Sequence, residues 1–259
     1  MFKEKVRKLY ACRHILWDMA LSQLKAKYSG PVLGIFWAVI NPLLITLVVA
    51  FIFTSVFTVE MKNFSLFVLA GIFPWMFLSS ALPEATSSII SQQVIIRQFN
   101  LPRVIIPLSV VTSNFLNFLI GWMIIYPIFL FFNPKIILLL PLLIICILLN
   151  FIFMLGLGIL FSILNVIFRD LSHLLGVLLM LWIWATPVFY SLEMVPQKFS
   201  WIFNINPMVP YILYYQDVLF NASVPGARVF LSVFLWASLI LILGWVCFSA
   251  LEERILKRI

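Results

Sequence analysis

Charge is what this sequence has least of. Only 10% of its 259 residues are Asp, Glu, Lys or Arg, where a soluble domain carries about a quarter. Hydrophobic residues make up 64%, and mean hydropathy is +1.15. A water-soluble globular domain is excluded, and the chain reads as an integral membrane protein. The three cysteines, Cys12, Cys146 and Cys247, are scattered, and His14 and His173 stand alone. Neither a disulfide framework nor a metal centre fits that spacing. GxSxG, HExxH and GxxxxGK[ST] are all missing, so no catalytic motif or phosphate-binding loop is present. No early apolar stretch marks a cleavable signal, so the first long apolar segment is expected to act as an uncleaved anchor. Glu60, Glu84, Asp170, Glu193 and Asp217 all fall at expected segment ends or in loops. An ion-driven carrier keeps an ionisable group within its spans, so secondary transport is disfavoured. Energy for uphill transport would have to come from another subunit.

What is present is a series of apolar runs, near 32–57, 64–83, 104–132, 136–165, 172–190 and 229–250. A crossing needs about 20 residues; the fifth run is the shortest. Asn133-Pro134-Lys135 and Phe168-Arg169-Asp170 supply the breaks around the fourth. With the N-terminus inside, thirteen of the 17 Lys and Arg face inward and four, Lys62, Lys135, Lys198 and Arg228, face outward. That asymmetry fits the positive-inside rule and places both termini in the cytoplasm. It accounts for the net charge of +8 without nucleic acid, for which no binding fold is present.

Residues 5–28 repeat apolar side chains at three- and four-residue steps, with lysines between them. An amphipathic helix at the cytoplasmic membrane surface is expected. Gly30-Pro31 ends it and starts the next helix. Asn41-Pro42 interrupts the first span, because Pro42 leaves the carbonyl of Ala38 without its amide donor. In lipid such a defect is met internally or faces a cavity. Thr46, Ala50 and Thr54 form one face of the first span, and Ser109, Ser113, Asn117 and Gly121 one face of the third. Such stripes, like Gly156 and Gly158, suit helix packing. The outer connection 191–228 is too apolar for an ordinary loop and too broken to span. Short re-entrant or interfacial helices are expected there. Trp182, Trp184, Phe189 and Tyr190 cluster more densely than an interfacial belt requires. Their flat faces suit sugar rings.

Four stretches carry a family resemblance: KYSGPVLGIFWAVINPLL, QFNLPRVIIPL, FRDLSHLLGVLLMLWIWATPVFY and NPMVPYILYYQDVLF. In this order they resemble the membrane subunit of ABC-2-type exporters, in particular those of O-antigen, capsular polysaccharide and teichoic acid. The resemblance covers essentially the whole chain. It implies an all-α protein of the bacterial inner membrane: six transmembrane helices, an N-terminal interface helix, and re-entrant helices between the fifth and sixth spans. It implies a homodimer that forms a channel for a lipid-linked polysaccharide, docked on two copies of an ATPase subunit. ATP and Mg would bind to that partner, with no cofactor on this chain. The inner connection 87–103 would be the coupling segment, through Gln93, Val94, Arg97, Phe99, Leu101, Pro102 and Arg103. Tyr28, Gly30, Pro31, Leu33 and Gly34 would flank the cytoplasmic entrance. Phe36, Phe51 and Phe53 of the first span, with Trp182, Trp184, Phe189 and Tyr190 of the fifth, would line the channel.

Two other readings stand beside this one. An ABC-2 exporter of a small amphiphile would share the architecture. A membrane-embedded glycosyl- or acyl-transferase would need a base near a cavity, and the few acids are scattered.

Overall fold

The computed structural model describes residues 7, 9–30, 32–56, 60–98 and 101–255. Every regular element among them is helical. Helix α1 (Arg13–Tyr28) leads through a 3-10 turn at Gly34–Phe36 into α2 (Trp37–Ser55). Then follow α3 (Phe64–Ser91), the short α4 (Gln93–Gln98) and α5 (Ile105–Phe132). A 3-10 turn at Pro134–Leu139 opens α6 (Leu140–Ile167), and α7 (Leu171–Trp182) comes next. Two short helices, α8 (Ser200–Ile205) and α9 (Met208–Leu219), precede α10 (Ala227–Ile255). Five stretches are long and apolar enough to cross a bilayer: Gly34–Ser55, Phe64–Ser91, Ile105–Phe132, Pro134–Ile167 and Ala227–Glu252. The expected fifth run, 172–190, differs. It holds a helix of 12 residues, about 18 Å long, and then turns through 183–190.

The breaks fall where the turn residues stand. Asn133 caps the following turn by accepting from the Lys135 amide at 3.2 Å. Phe168-Arg169-Asp170 separates α6 from α7. Gly34 takes a positive φ of 48°, a conformation that costs a side-chain-bearing residue, and turns the chain from α1 into α2.

Helix α3 corrects one expectation. The apolar run ends at Pro83, yet the helix continues to Ser91 and carries both Pro74 and Pro83 inside it. Serine and threonine hydroxyls line its C-terminal half and donate to carbonyls one turn back: Ser79 to Met76, Ser80 to Phe77, Thr86 to Leu82 and Ser87 to Pro83. A helix needs its backbone satisfied but not an apolar surface once neighbours enclose it. Glu84, expected at a segment end, therefore sits inside α3.

The core sits around α3, buried over most of its length between α2, α5, α6 and α9. Helices α6 and α10 cross with backbones touching. A Cβ added at Gly156 would meet the Leu241 amide nitrogen at 2.5 Å. The small-residue stripes pack in part: Thr46, Ala50, Ser109, Ser113 and Gly121 are buried, whereas Thr54 is exposed and Asn117 half-buried. A Cβ at Gly121 would run into the Phe73 ring.

Candidate functional site

Two kinds of side chain, aromatic rings and carboxamides, gather at opposite ends of α2. At its N-terminal end α1 meets α3 and α5 through polar side chains. Gln23 donates to the Ser109 hydroxyl at 3.2 Å. The Lys27 ammonium reaches Glu84 at 2.8 Å and the Asn114 side-chain oxygen at 3.0 Å. Asn114 in turn donates to the other Glu84 oxygen at 2.7 Å. Tyr28 donates to the Asn117 side-chain oxygen. Burial and the Glu84 carboxylate push the Tyr28 phenol above its ordinary range, against the pull of the Asn117 bond, so it remains a neutral donor. Lys27 and Gln23 were not singled out from the sequence, because a polar residue beside a membrane helix reads as a headgroup contact. The clue was spacing: Gln23 and Lys27 are four apart and share a face.

Beside this network lies a cleft of about 290 Å³, lined by Lys27, Tyr28, Trp37, Ala38, Asn41, Phe73, Met76, Phe77, Ser80, Asn114, Asn117 and Phe118. Asn41 therefore faces open space, as the Asn41-Pro42 interruption led us to expect. Of the expected entrance residues, Tyr28 lines this cleft. Gly30, Leu33 and Gly34 belong to the α1–α2 connection, and Pro31 lies outside the described residues.

At the other end of α2 the rings form a ladder. Phe53 stacks on Phe64 with centroids 5.6 Å apart and leans on Phe189 at 6.4 Å. Phe189 contacts Trp184 at 5.4 Å. Phe64 continues to Phe67 at 6.1 Å, and Phe67 to Phe220 at 5.4 Å. Three of the seven expected channel aromatics, Phe53, Trp184 and Phe189, are thus brought together from two separate segments. Trp184 is exposed and Phe189 buried. Phe36 and Phe51 are exposed and stand outside the ladder. Tyr190 donates to the Trp184 carbonyl at 2.7 Å and packs edge-on against Phe203.

Trp182 has a different setting. Its indole donates to the Asn206 side-chain oxygen at 2.8 Å and its ring packs edge-on against Trp75. Asn206 also accepts from the Met208 amide at 3.0 Å, and donates to the Ala185 carbonyl at 2.9 Å and the Thr186 hydroxyl at 3.0 Å. All four bonding positions of the carboxamide are used, which joins the end of α7 to the start of α9. Helix α9 is buried along nearly its whole length. Tyr211 donates to the Val233 carbonyl at 3.1 Å, Tyr214 to Leu142 at 3.1 Å, and Gln216 to Pro187 at 2.9 Å.

Between α3 and α5, α4 carries Gln93 and the exposed Val94. Phe99 and the side chain of Arg97 lie outside the described residues. Leu101, Pro102 and Arg103 line a second cleft, of about 510 Å³, with Ala11, Cys12, Val104, Trp245, Phe248, Ser249 and Glu252. Three of the residues expected to serve coupling thus share a cleft with the C-terminal helix, which sequence reasoning had not included. Among the described residues no cluster of metal-ligating side chains is present.

Five helices long and apolar enough to span, with a buried broken segment before the last of them, mark a multi-pass membrane protein. The chain belongs to the ABC-2 type transporter family, whose pattern matches residues 16–220. It is 35% identical over 237 residues to an O-antigen export system permease protein RfbA of Klebsiella pneumoniae, covering 89% of each chain. It is 31% identical over 258 residues to the protein of the same name in Myxococcus xanthus, covering 96% of this chain and 95% of that one.

Proposed function

We propose that this chain is the membrane subunit of an ATP-driven exporter that carries a lipid-linked polysaccharide, such as O-antigen, across the bacterial inner membrane. The observation that carries the reading is similarity along nearly the whole chain to two O-antigen export permeases. The small-amphiphile alternative has no comparable support. Energy comes from a separate ATPase, since this chain has no phosphate-binding loop, and ATP and Mg stay on that partner. The short, separate α4 between α3 and α5 suits a coupling element. The partner ATPase docks there, in two copies, beneath a homodimer of this chain.

In this reading α7 and the turns after it make the fifth crossing, which brings the count to six with both termini cytoplasmic. Helices α8 and α9 re-enter from the outer side. Burial of α9, with its tyrosine hydroxyls bonded to carbonyls of α6 and α10, supports that placement, because non-helical backbone at membrane depth has to be enclosed by protein. Trp184, exposed and backed by Phe189 and Phe53, supplies sugar-stacking surface toward the outer end of the channel. Removing the gene tests the reading: surface polysaccharide should disappear while its lipid-linked form builds up inside. Unchanged surface glycan would overturn it.

A further inference from the structure

The cleft beside α1 has no role in the family reading beyond its place near an entrance. Its chemistry is specific enough to name a ligand class. The one charged lining residue, Lys27, is already held by Glu84 at 2.8 Å and by Asn114 at 3.0 Å. Asn114 closes the triangle by donating to the second Glu84 oxygen. The cation is therefore spent, and the cleft offers no unpaired charge to a phosphate, for which a free Lys or Arg would be needed.

What remains uncommitted is neutral hydrogen-bonding capacity. Asn117 gives its side-chain oxygen to Tyr28 and keeps both amide N–H groups. The Asn41 carboxamide has no side-chain partner among the described residues, and it is solvent-exposed on the cleft wall. Ser80 donates to the Phe77 carbonyl at 3.3 Å and keeps acceptor capacity. The exposed Trp37 ring lines the same cleft, while Phe77 is buried and stacked on Phe118 at 4.7 Å and forms its apolar floor. A few fixed polar groups against aromatic walls is the usual build of a small-molecule site. Carboxamides pair with adjacent hydroxyls as both donor and acceptor, and rings cover the carbon face of a pyranose. A volume of about 290 Å³ is small for a ligand site and suits one or two sugar units, not a folded chain.

We infer that the cleft formed by Trp37, Asn41, Phe77, Ser80 and Asn117 is a saccharide-binding subsite of this chain, selecting neutral sugar hydroxyls and not the phosphate of a lipid carrier. It deepens the export reading and rests on it. The Lys27–Glu84–Asn114 triangle positions α1 as one wall of the subsite.

The test uses full-length permease in lipid nanodiscs, with its ATPase partner. The probe is the repeat-unit oligosaccharide released by mild acid from the host's own surface glycan, observed by saturation-transfer NMR. Inorganic pyrophosphate is the second probe. Wild-type protein should transfer saturation to the sugar ring protons, and pyrophosphate should not compete. Asn41→Ala and Trp37→Ala should each cut the transfer at least threefold. Asn117→Asp keeps the acceptor for Tyr28 but removes the free amide donors, and it should do the same while eluting as a normal complex. Equal transfer in wild type and all three variants would overturn the subsite, as would competition by pyrophosphate. Absent transfer in wild type, with surface glycan still lost in the deletion strain, would overturn the subsite and leave the export reading intact. Surface glycan that persists in the deletion strain would bring down the export reading itself.

Discussion

Helices α10 and α2 are both edge helices, and each leaves most of its surface uncovered. Only 17% of the most apolar window of Ala227–Glu252 is buried, and 22% of that of Gly34–Ser55, against 72% for Phe64–Ser91. By exposure alone the two edges look alike. They are anchored in different ways. Helix α10 lies backbone to backbone on α6 at Gly156 and Gly244, and Tyr211 of α9 bonds its Val233 carbonyl. Helix α2 packs on α3, stacking Phe53 on Phe64, runs unbroken through Pro42, and borders an open cleft. An exposed apolar face does not by itself separate lipid from a partner or a channel. How tightly the helix is held behind that face does. We read α6, α9 and α10 as the fixed part of the molecule and α1, α2 and α7 as the part that meets substrate.

That contrast can be broken by design. The largest effect is expected at the α6–α10 crossing. Gly156→Leu places a side chain against the Leu241 and Ile240 backbone, beyond the about 1–3 kcal/mol of ordinary overpacking. Folded protein, measured as monodisperse yield in detergent, should fall more than tenfold. Leu47→Ala, on the exposed face of α2, should leave that yield unchanged. Equal losses would erase the distinction between the two edges.

Asn206→Ala comes next. It strands the Trp182 indole, the Met208 amide and the Ala185 carbonyl together, a cost of about 2–4 kcal/mol at roughly 1 kcal/mol or more per group. The thermal midpoint should drop by several degrees, and an unchanged midpoint would show that the α7–α9 joint is loose. Trp184→Ala follows, at an exposed ring with no structural bond from its side chain in the ladder. Export of polymer should fall several-fold while ATPase activity of the complex persists; parallel loss of both would make Trp184 a structural residue. Tyr215→Phe is the smallest. Its hydroxyl is 3.5 Å from the Asn150 amide and also pairs with the Cys146 side chain, and hydrogen bonds between membrane helices average about 0.6 kcal/mol. A midpoint shift above a degree or two would show that these two contacts together are stronger than that average.

Much of this was legible in the sequence, because membrane helices announce themselves by length and composition. The breaks at Asn133-Pro134 and Arg169-Asp170, the small-residue faces and the short helices of 191–228 all follow from local chemistry. Glu84 was misplaced for a physical reason. Hydropathy marks where apolar surface ends, and α3 continues past that point between protein neighbours. Nothing local shows that Asn206, 24 residues later, takes the indole N–H of Trp182. The Lys27–Glu84–Asn114 triangle was invisible for the same reason: its members are far apart in sequence and meet only when α1 docks against α3 and α5.

The central claim is that this chain forms the path for a lipid-linked polysaccharide. Inside-out vesicles containing this permease and its ATPase, loaded from outside with radiolabelled lipid-linked glycan, test it most directly. Label should move to the vesicle lumen with ATP, and that movement should be lost when this chain is omitted. Movement that is independent of this chain, or none with both subunits present and ATP being hydrolysed, would contradict it.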